Sequence, residues 1–201
     1  MSTTSAPYGL KPVNLRSGQA YSGGTFREIL CVTNNTNAIF TGDLVNITTG
    51  IPTHITATPT TTANGNTPIG VCVGVRYIDP VMKYQVYASF LPAGAITAGY
   101  LDVWVRVVDD PGQLFQVQAD GAVARTQIGL NAQLTNFAAG STTTGNSKIQ
   151  LVSATIAGTA TFGMRIVDCV NAPGSAPGDA YTDLIVGFNA GVQAYTNGTG
   201  Q

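Results

Sequence analysis

Apolar and β-branched residues fall along this chain in short runs, broken by clusters of Gly, Pro, Asn and Thr. That punctuation is the pattern of strand, turn, strand. It predicts strands over 28–33, 43–48, 69–77, 84–90, 101–108, 114–119, 148–154, 164–170 and 184–189. The cleanest alternation lies in 101–107. There Leu101, Val103, Val105 and Val107 share one face, and Asp102, Trp104 and Arg106 share the other, which is the period of a half-buried strand. No long helix is expected. Residues 122–130 suit a short helical turn at most, bounded by Gly121 and Gly129.

The turns have their own chemistry. Asp109-Asp110-Pro111-Gly112 combines a side chain that accepts from backbone amides, a preset φ and a residue free to take φ > 0. It predicts a hairpin between 101–108 and 114–119. The Thr-rich tracts 56–67 and 140–147 read as exposed loops, and the Pro/Gly-dense 171–178 as a loop within a domain. Residues 1–27 lack clean periodicity. They are expected to form an extended N-terminal arm or a first strand, ahead of a single β-rich domain over 28–201. The fold expected is all-β, sandwich or barrel-like with a jelly roll among the options, and with long Thr/Gly-rich loops.

Composition narrows the function. Of 201 residues, 9 are Lys or Arg and 10 Asp or Glu, so 9% are charged, against roughly 25% in an ordinary soluble domain. The hydrophobic share is 44%, enough for a sizeable core. A net charge of −1 gives no basic excess to displace counterions from phosphates, so nucleic acid is not an expected partner. No run approaches the roughly 18 apolar residues of a membrane span. The opening Met1–Pro7 lacks a basic region followed by an apolar run, so no secretory leader is expected. The sequons at Asn34, Asn46 and Asn197 then carry no meaning. With few like charges to repel one another, the surface suits permanent packing against copies of itself or a larger assembly.

Catalytic chemistry is thinly supplied, and no enzyme is expected. The one histidine, His54, lies in a Thr-rich stretch with no carboxylate beside it in sequence. It reads as an ordinary surface or strand residue. Cys31, Cys72 and Cys169 are too widely spaced for a paired zinc motif and read as buried free thiols in a reducing compartment. Asp109 and Asp110, with Asp102 and Asp120 on flanking segments, would serve a glycosidase or a calcium ion only if the fold gathered them. Adjacent strand residues point to opposite faces, and turn chemistry explains the pair. Gly158–Gly163 has P-loop glycine spacing but lacks the Lys-Ser/Thr pair that holds phosphate and Mg²⁺. Trp104, Tyr84, Tyr87 and Phe90 suit either a sugar-stacking platform or, three times more readily, a core or subunit interface. No metal or cofactor is expected.

The order of motifs carries a further indication. Tyr8-Gly-Leu-Lys-Pro-Val, Gly24-Thr-Phe-Arg, Ile39-Phe-Thr-Gly-Asp and Ile69-Gly-Val-Cys-Val-Gly-Val are followed by Val108-Asp-Asp-Pro and Phe115-Gln-Val-Gln-Ala-Asp-Gly. Ile128-Gly-Leu-Asn-Ala, Gly140-Ser-Thr-Thr-Thr-Gly and Asp183-Leu-Ile-Val complete the series. The series, spanning most of the chain, resembles a family of capsid decoration, or cement, proteins of tailed bacteriophages. The resemblance implies a β-rich homo-oligomer, a trimer, made in the bacterial host cytoplasm and carried on the outer capsid surface of the virion. Its partners would be the major capsid protein and itself. It would clamp neighbouring capsid subunits of the expanded head against the pressure of packaged DNA. The family has no catalytic signature to carry over. Within the arm, Lys11, Arg16 and Arg27 are the candidate polar contacts to the capsid or a neighbouring subunit, and Tyr8 and Leu10 the candidate apolar anchors. Deleting 1–27 would then weaken attachment and leave the β domain folded. The alternatives are a tail or fibre component, disfavoured by the absence of repeats and heptads, and a β-sandwich carbohydrate-binding module.

Overall fold

The computed structural model describes residues 4–33, 35–60, 66–137 and 139–197. As expected, these residues build an all-β, sandwich-like fold from open antiparallel sheets, without a closed barrel. One sheet has five strands, in the order β1 (Lys11–Leu15), β10 (Gln113–Gln118), β15 (Asp183–Phe188), β14 (Met164–Cys169) and β11 (Asn131–Ala132). The other has β2 (Arg27–Leu30), β9 (Leu101–Val108), β6 (Gly70–Ile78), β4 (Leu44–Thr48) and β5 (Ile51–His54), with β7 (Gln85–Ala88) added alongside β6. Two ribbons flank them: β3 (Ile39–Phe40) with β8 (Phe90–Leu91), and β12 (Leu134–Thr135) with β13 (Gln150–Leu151).

Each sheet closes over its own core. The five-stranded sheet buries Phe115, Val117, Met164, Ile166, Leu184 and Val186. The six-stranded sheet buries Ile29, Val75, Tyr77, Val103, Val105 and Val107 against Ile39, Leu91 and Ala95. The two meet at one end of the six-stranded sheet. Val71 pairs with Val108, and both join the first core together with Leu44. One residue on, Cys72 pairs with Val107 and faces the second core. The opposite face of β6 and β9 therefore starts buried at Val71 and Val108. It ends open to solvent at Arg76, Trp104 and Asp102.

The predicted strands are found with one instructive exception in their pairing. The turn at 109–112 forms as its chemistry dictates: Gly112 N–H donates to Asp110 Oδ1 at 2.6 Å and Gln113 N–H to the Asp110 carbonyl at 3.1 Å. It does not close a hairpin. β9 pairs with β2 and β6, and β10 with β1 and β15, so the turn carries the chain from one sheet to the other. Turn residues fix a reversal of direction; they do not fix which strand the next segment finds. The corner is secured from outside, by Arg27 on Asp109 at 3.0 Å and by Gln193 Nε2, which donates to the Asp109 carbonyl at 2.9 Å.

Other boundaries shift for local reasons. The run 84–90 splits at Ser89, whose carbonyl accepts from the Thr41 amide and hydroxyl, so β7 and β8 go to different partners. Of 148–154 only Gln150–Leu151 is strand, followed by a 3₁₀ turn at Ser153–Thr155. The helical turn within 122–130 is a 3₁₀ turn, Arg125–Gln127. Loop 140–147 is pinched shut by a bridge between Gly140 and Ser147. Residues 61–65 of the first Thr tract, and Asn34, lie outside the described residues.

Candidate functional site

The open half of the six-stranded sheet gathers two arginines, two carboxylates and the one tryptophan of the chain. Register places Leu30 opposite Trp104, Trp104 opposite Arg76 and Arg76 opposite Tyr87. Directly paired residues share a face, so these four side chains form one row across β2, β9, β6 and β7. The next row holds Glu28 opposite Arg106 and Arg106 opposite Gly74. Gly74 has φ +148° at a bulge in β6. Arg106 reaches across the strand to the Tyr87 ring, 4.5 Å from guanidinium carbon to centroid.

The charges on this face are paired with one another. Arg76 Nε donates to Glu28 Oε2 at 2.9 Å and its Nη1 to Asp102 Oδ2 at 2.9 Å. Arg106 Nε donates to Glu28 Oε1 at 3.1 Å. Trp104 Nε1 donates to Asp102 Oδ1 at 2.7 Å. Two cations meet two anions, and the face carries no net charge. Hydrogen bonds from Arg76 and then Arg106 hold the Glu28 carboxyl below the usual glutamate range. The Trp104 indole first, and Arg76 second, hold Asp102 below the usual aspartate range. The guanidinium of Arg76 lies 4.7 Å from the Trp104 ring centroid, and that of Arg106 4.8 Å from the Phe26 ring. At the margin Leu30, Val81, Met82, Tyr84, Tyr87 and Leu101 are exposed. Phe90 leaves the group of aromatics expected here and stacks on Phe40 at 5.4 Å.

The five residues read from the arm sit elsewhere and are engaged within the molecule. Leu10 is buried in the first core. The Tyr8 hydroxyl donates to Asp183 Oδ1 at 2.8 Å; burial, reinforced by Asp183, pushes its phenol well above the usual range. Lys11 opens β1 and lies over the Tyr8 ring. Arg16 Nη2 donates to the Phe188 carbonyl at 2.7 Å and lines a surface cavity of about 400 Å³ with Gln193 and Thr196. Arg27 pairs with Asp109 and lies 5.7 Å from the Tyr195 ring.

Catalytic groupings do not assemble from the expected carboxylates. Asp109 binds Arg27 and Tyr195, Asp110 its own turn, Asp120 the Ser153 amide and hydroxyl, and Asp102 the face above. The three cysteines are free and buried; burial foremost pushes the Cys72 thiol up to about 12. His54 ends strand β5, in keeping with the strand option expected for it, but it is not a surface residue. Its side chain is 2% exposed, and Nε2 lies 3.4 Å from Oδ2 of the fully buried Asp43. Asp43 is distant enough in sequence that the stretch around His54 gives no sign of it.

Arg76, Arg106, Glu28 and Leu30 were not singled out by sequence as a group. The signal was present in part: Asp102, Trp104 and Arg106 alternate onto one face of β9, and Arg76 is the one charged residue of 69–77. Which strands stand beside them needed the topology. No family model, curated protein or solved structure matches this chain.

Proposed function

We propose that this chain is a structural virion protein, a capsid decoration protein of a tailed bacteriophage that works as a homo-oligomer clamped over major capsid protein subunits. The observation that carries the assembly part of this reading is the face formed by Leu30, Trp104, Arg76 and Tyr87. It is rich in aromatic side chains and arginine, the types that dominate contact energetics. Its charges are already neutralised by one another, so a second copy can approach it without repulsion. The exposed apolar margin adds area whose burial is worth about 25 cal/mol per Å². One ring face of Trp104 is occupied by Arg76, which favours protein packing over sugar stacking. The capsid part of the reading rests on the ordered motif series and on the charge-poor surface, both from the sequence.

The test is attachment. Purified protein mixed with expanded heads of the phage that lack this chain should cosediment at saturating, symmetric stoichiometry and raise the temperature at which heads rupture. Absence of the protein from purified virions, with no binding to expanded heads, overturns the capsid role. Density along the tail would move the assignment to a tail component, and binding on a glycan array abolished by Trp104→Ala to a carbohydrate-binding module.

A further inference from the structure

Buried polar atoms in a folded protein nearly always find partners, and one place in this molecule departs from that rule several times over. Asp43 Oδ1, Asn35 Oδ1 and both ring nitrogens of His54 are buried without a hydrogen-bond partner. Asn35 and His54 line the same small cavity, about 70 Å³, with Thr36, Asn37 and Thr53, and His54 faces Asp43. The side chains are closely fixed. Asn35 Nδ2 donates to the Asn37 and Pro92 carbonyls at 2.7 and 3.1 Å, so its oxygen is left as an acceptor. Asp43 Oδ2 accepts from the Phe40 amide at 2.7 Å.

The unpartnered set is therefore a carboxylate oxygen, an amide oxygen and an imidazole. Each offers a lone pair, and a buried carboxylate calls for a positive partner. The His54 Nε2 to Asp43 Oδ2 separation of 3.4 Å makes no hydrogen bond. It does match the spacing of two ligands on one ion: bonds of about 2.0–2.1 Å at tetrahedral angles put donor atoms about 3.3–3.4 Å apart, and Oδ2 keeps a lone pair beyond the one that accepts from the Phe40 amide. We propose that Asp43, His54 and Asn35 form a structural site for a first-row divalent cation, bound through the carboxylate, the imidazole lone pair and the amide oxygen. No three His, Cys, Asp or Glu residues cluster among the described residues, so the amide is the third protein ligand and solvent completes the shell. Mixed nitrogen and oxygen donors suit Zn²⁺ and its neighbours better than Ca²⁺. The exposed residue Thr36 at the cavity provides entry. The ion would tie the loop carrying Asn35 to β5.

Untagged protein stripped with a chelator and desalted is titrated with Zn²⁺. The expected result is one ion retained per chain and a melting temperature raised by about 5 °C or more, with His54→Gln weakening retention at least tenfold. X-ray absorption of the wild-type zinc complex should show one imidazole among oxygen ligands, a readout that needs no variant to fold. No retention by wild type, equal retention by His54→Gln, or a zinc shell without imidazole would overturn the proposal; in each case solvent alone fills the cavity.

Discussion

Arg76 stands directly opposite Trp104 in the β6–β9 register, with its guanidinium carbon 4.7 Å from the indole centroid. Both residues also bind Asp102, so the pair is rigid before any partner arrives. A pre-ordered aromatic–arginine unit loses little side-chain entropy on contact. Trp104→Ala should weaken self-association at least tenfold, with a change in monomer stability of about 1 kcal/mol from the lost cation–π contact. Arg76→Lys should weaken it too, because an ammonium cannot bridge Glu28 and Asp102 in one plane. Sedimentation equilibrium across a concentration series checks both.

The pH response of this face has a defined sign. Glu28 and Asp102 are both held below their ordinary ranges. A depressed carboxyl contributes stability that is present above its unfolded value and lost as pH falls through its folded value. The gap in melting temperature between wild type and Glu28→Gln should stay constant from pH 8 to about 5.5. It should shrink below about pH 4, as the wild-type carboxylate takes up its proton. A gap that widened on acidification would contradict the pairing.

Truncation distinguishes an arm from a strand. β1 pairs with β10, Leu10 is buried in the first core and Tyr8 holds Asp183. Deleting 1–27 should therefore cost the fold itself, in contrast to the expectation from sequence that the β domain would survive it. Leu10→Ala alone should cost about 2–5 kcal/mol. Urea denaturation of the variant and circular dichroism of the truncated chain test this.

Gly70 tests the β6–β9 contact from the opposite direction. A Cβ there would stand 2.1 Å from the Val108 carbonyl oxygen and 2.8 Å from Val107 Cγ1. The obstacle is backbone and cannot swing aside. Gly70→Ala should cost about 3 kcal/mol. Gly24→Ala, which meets nothing within 4 Å, should change stability by less than about 0.5 kcal/mol. Thermal melts of the two variants side by side decide it.

Strands were legible where alternation was strong, as in β9, whose expected span 101–108 is the observed one. Two-residue strands such as β3 and β11 leave no periodic trace, because a period of two needs several repeats to register. β1 is the first strand that stood as one of two readings of residues 1–27; Pro12 and a bulge between Pro12 and Leu15 break the alternation that would have located it. The 109–112 segment is legible as a turn, but the hairpin it suggests does not form, since local chemistry is silent on partner choice. Half the candidate face was visible on β9. Tyr87 was already grouped with Trp104 by sequence, whereas Arg76 and Glu28 join the face only through pairing between segments far apart in sequence. The burial of His54 is hidden for the same reason: Asp43 faces it across the fold.

The native mass of the purified protein tests the central claim, that this charge-poor chain works as a permanent assembly through its open sheet face. Light scattering should give a stable multiple of 20.7 kDa, close to three copies, that Trp104→Ala shifts toward the single chain. A wild-type mass of one chain at all concentrations, or an oligomer indifferent to Trp104→Ala, would contradict it.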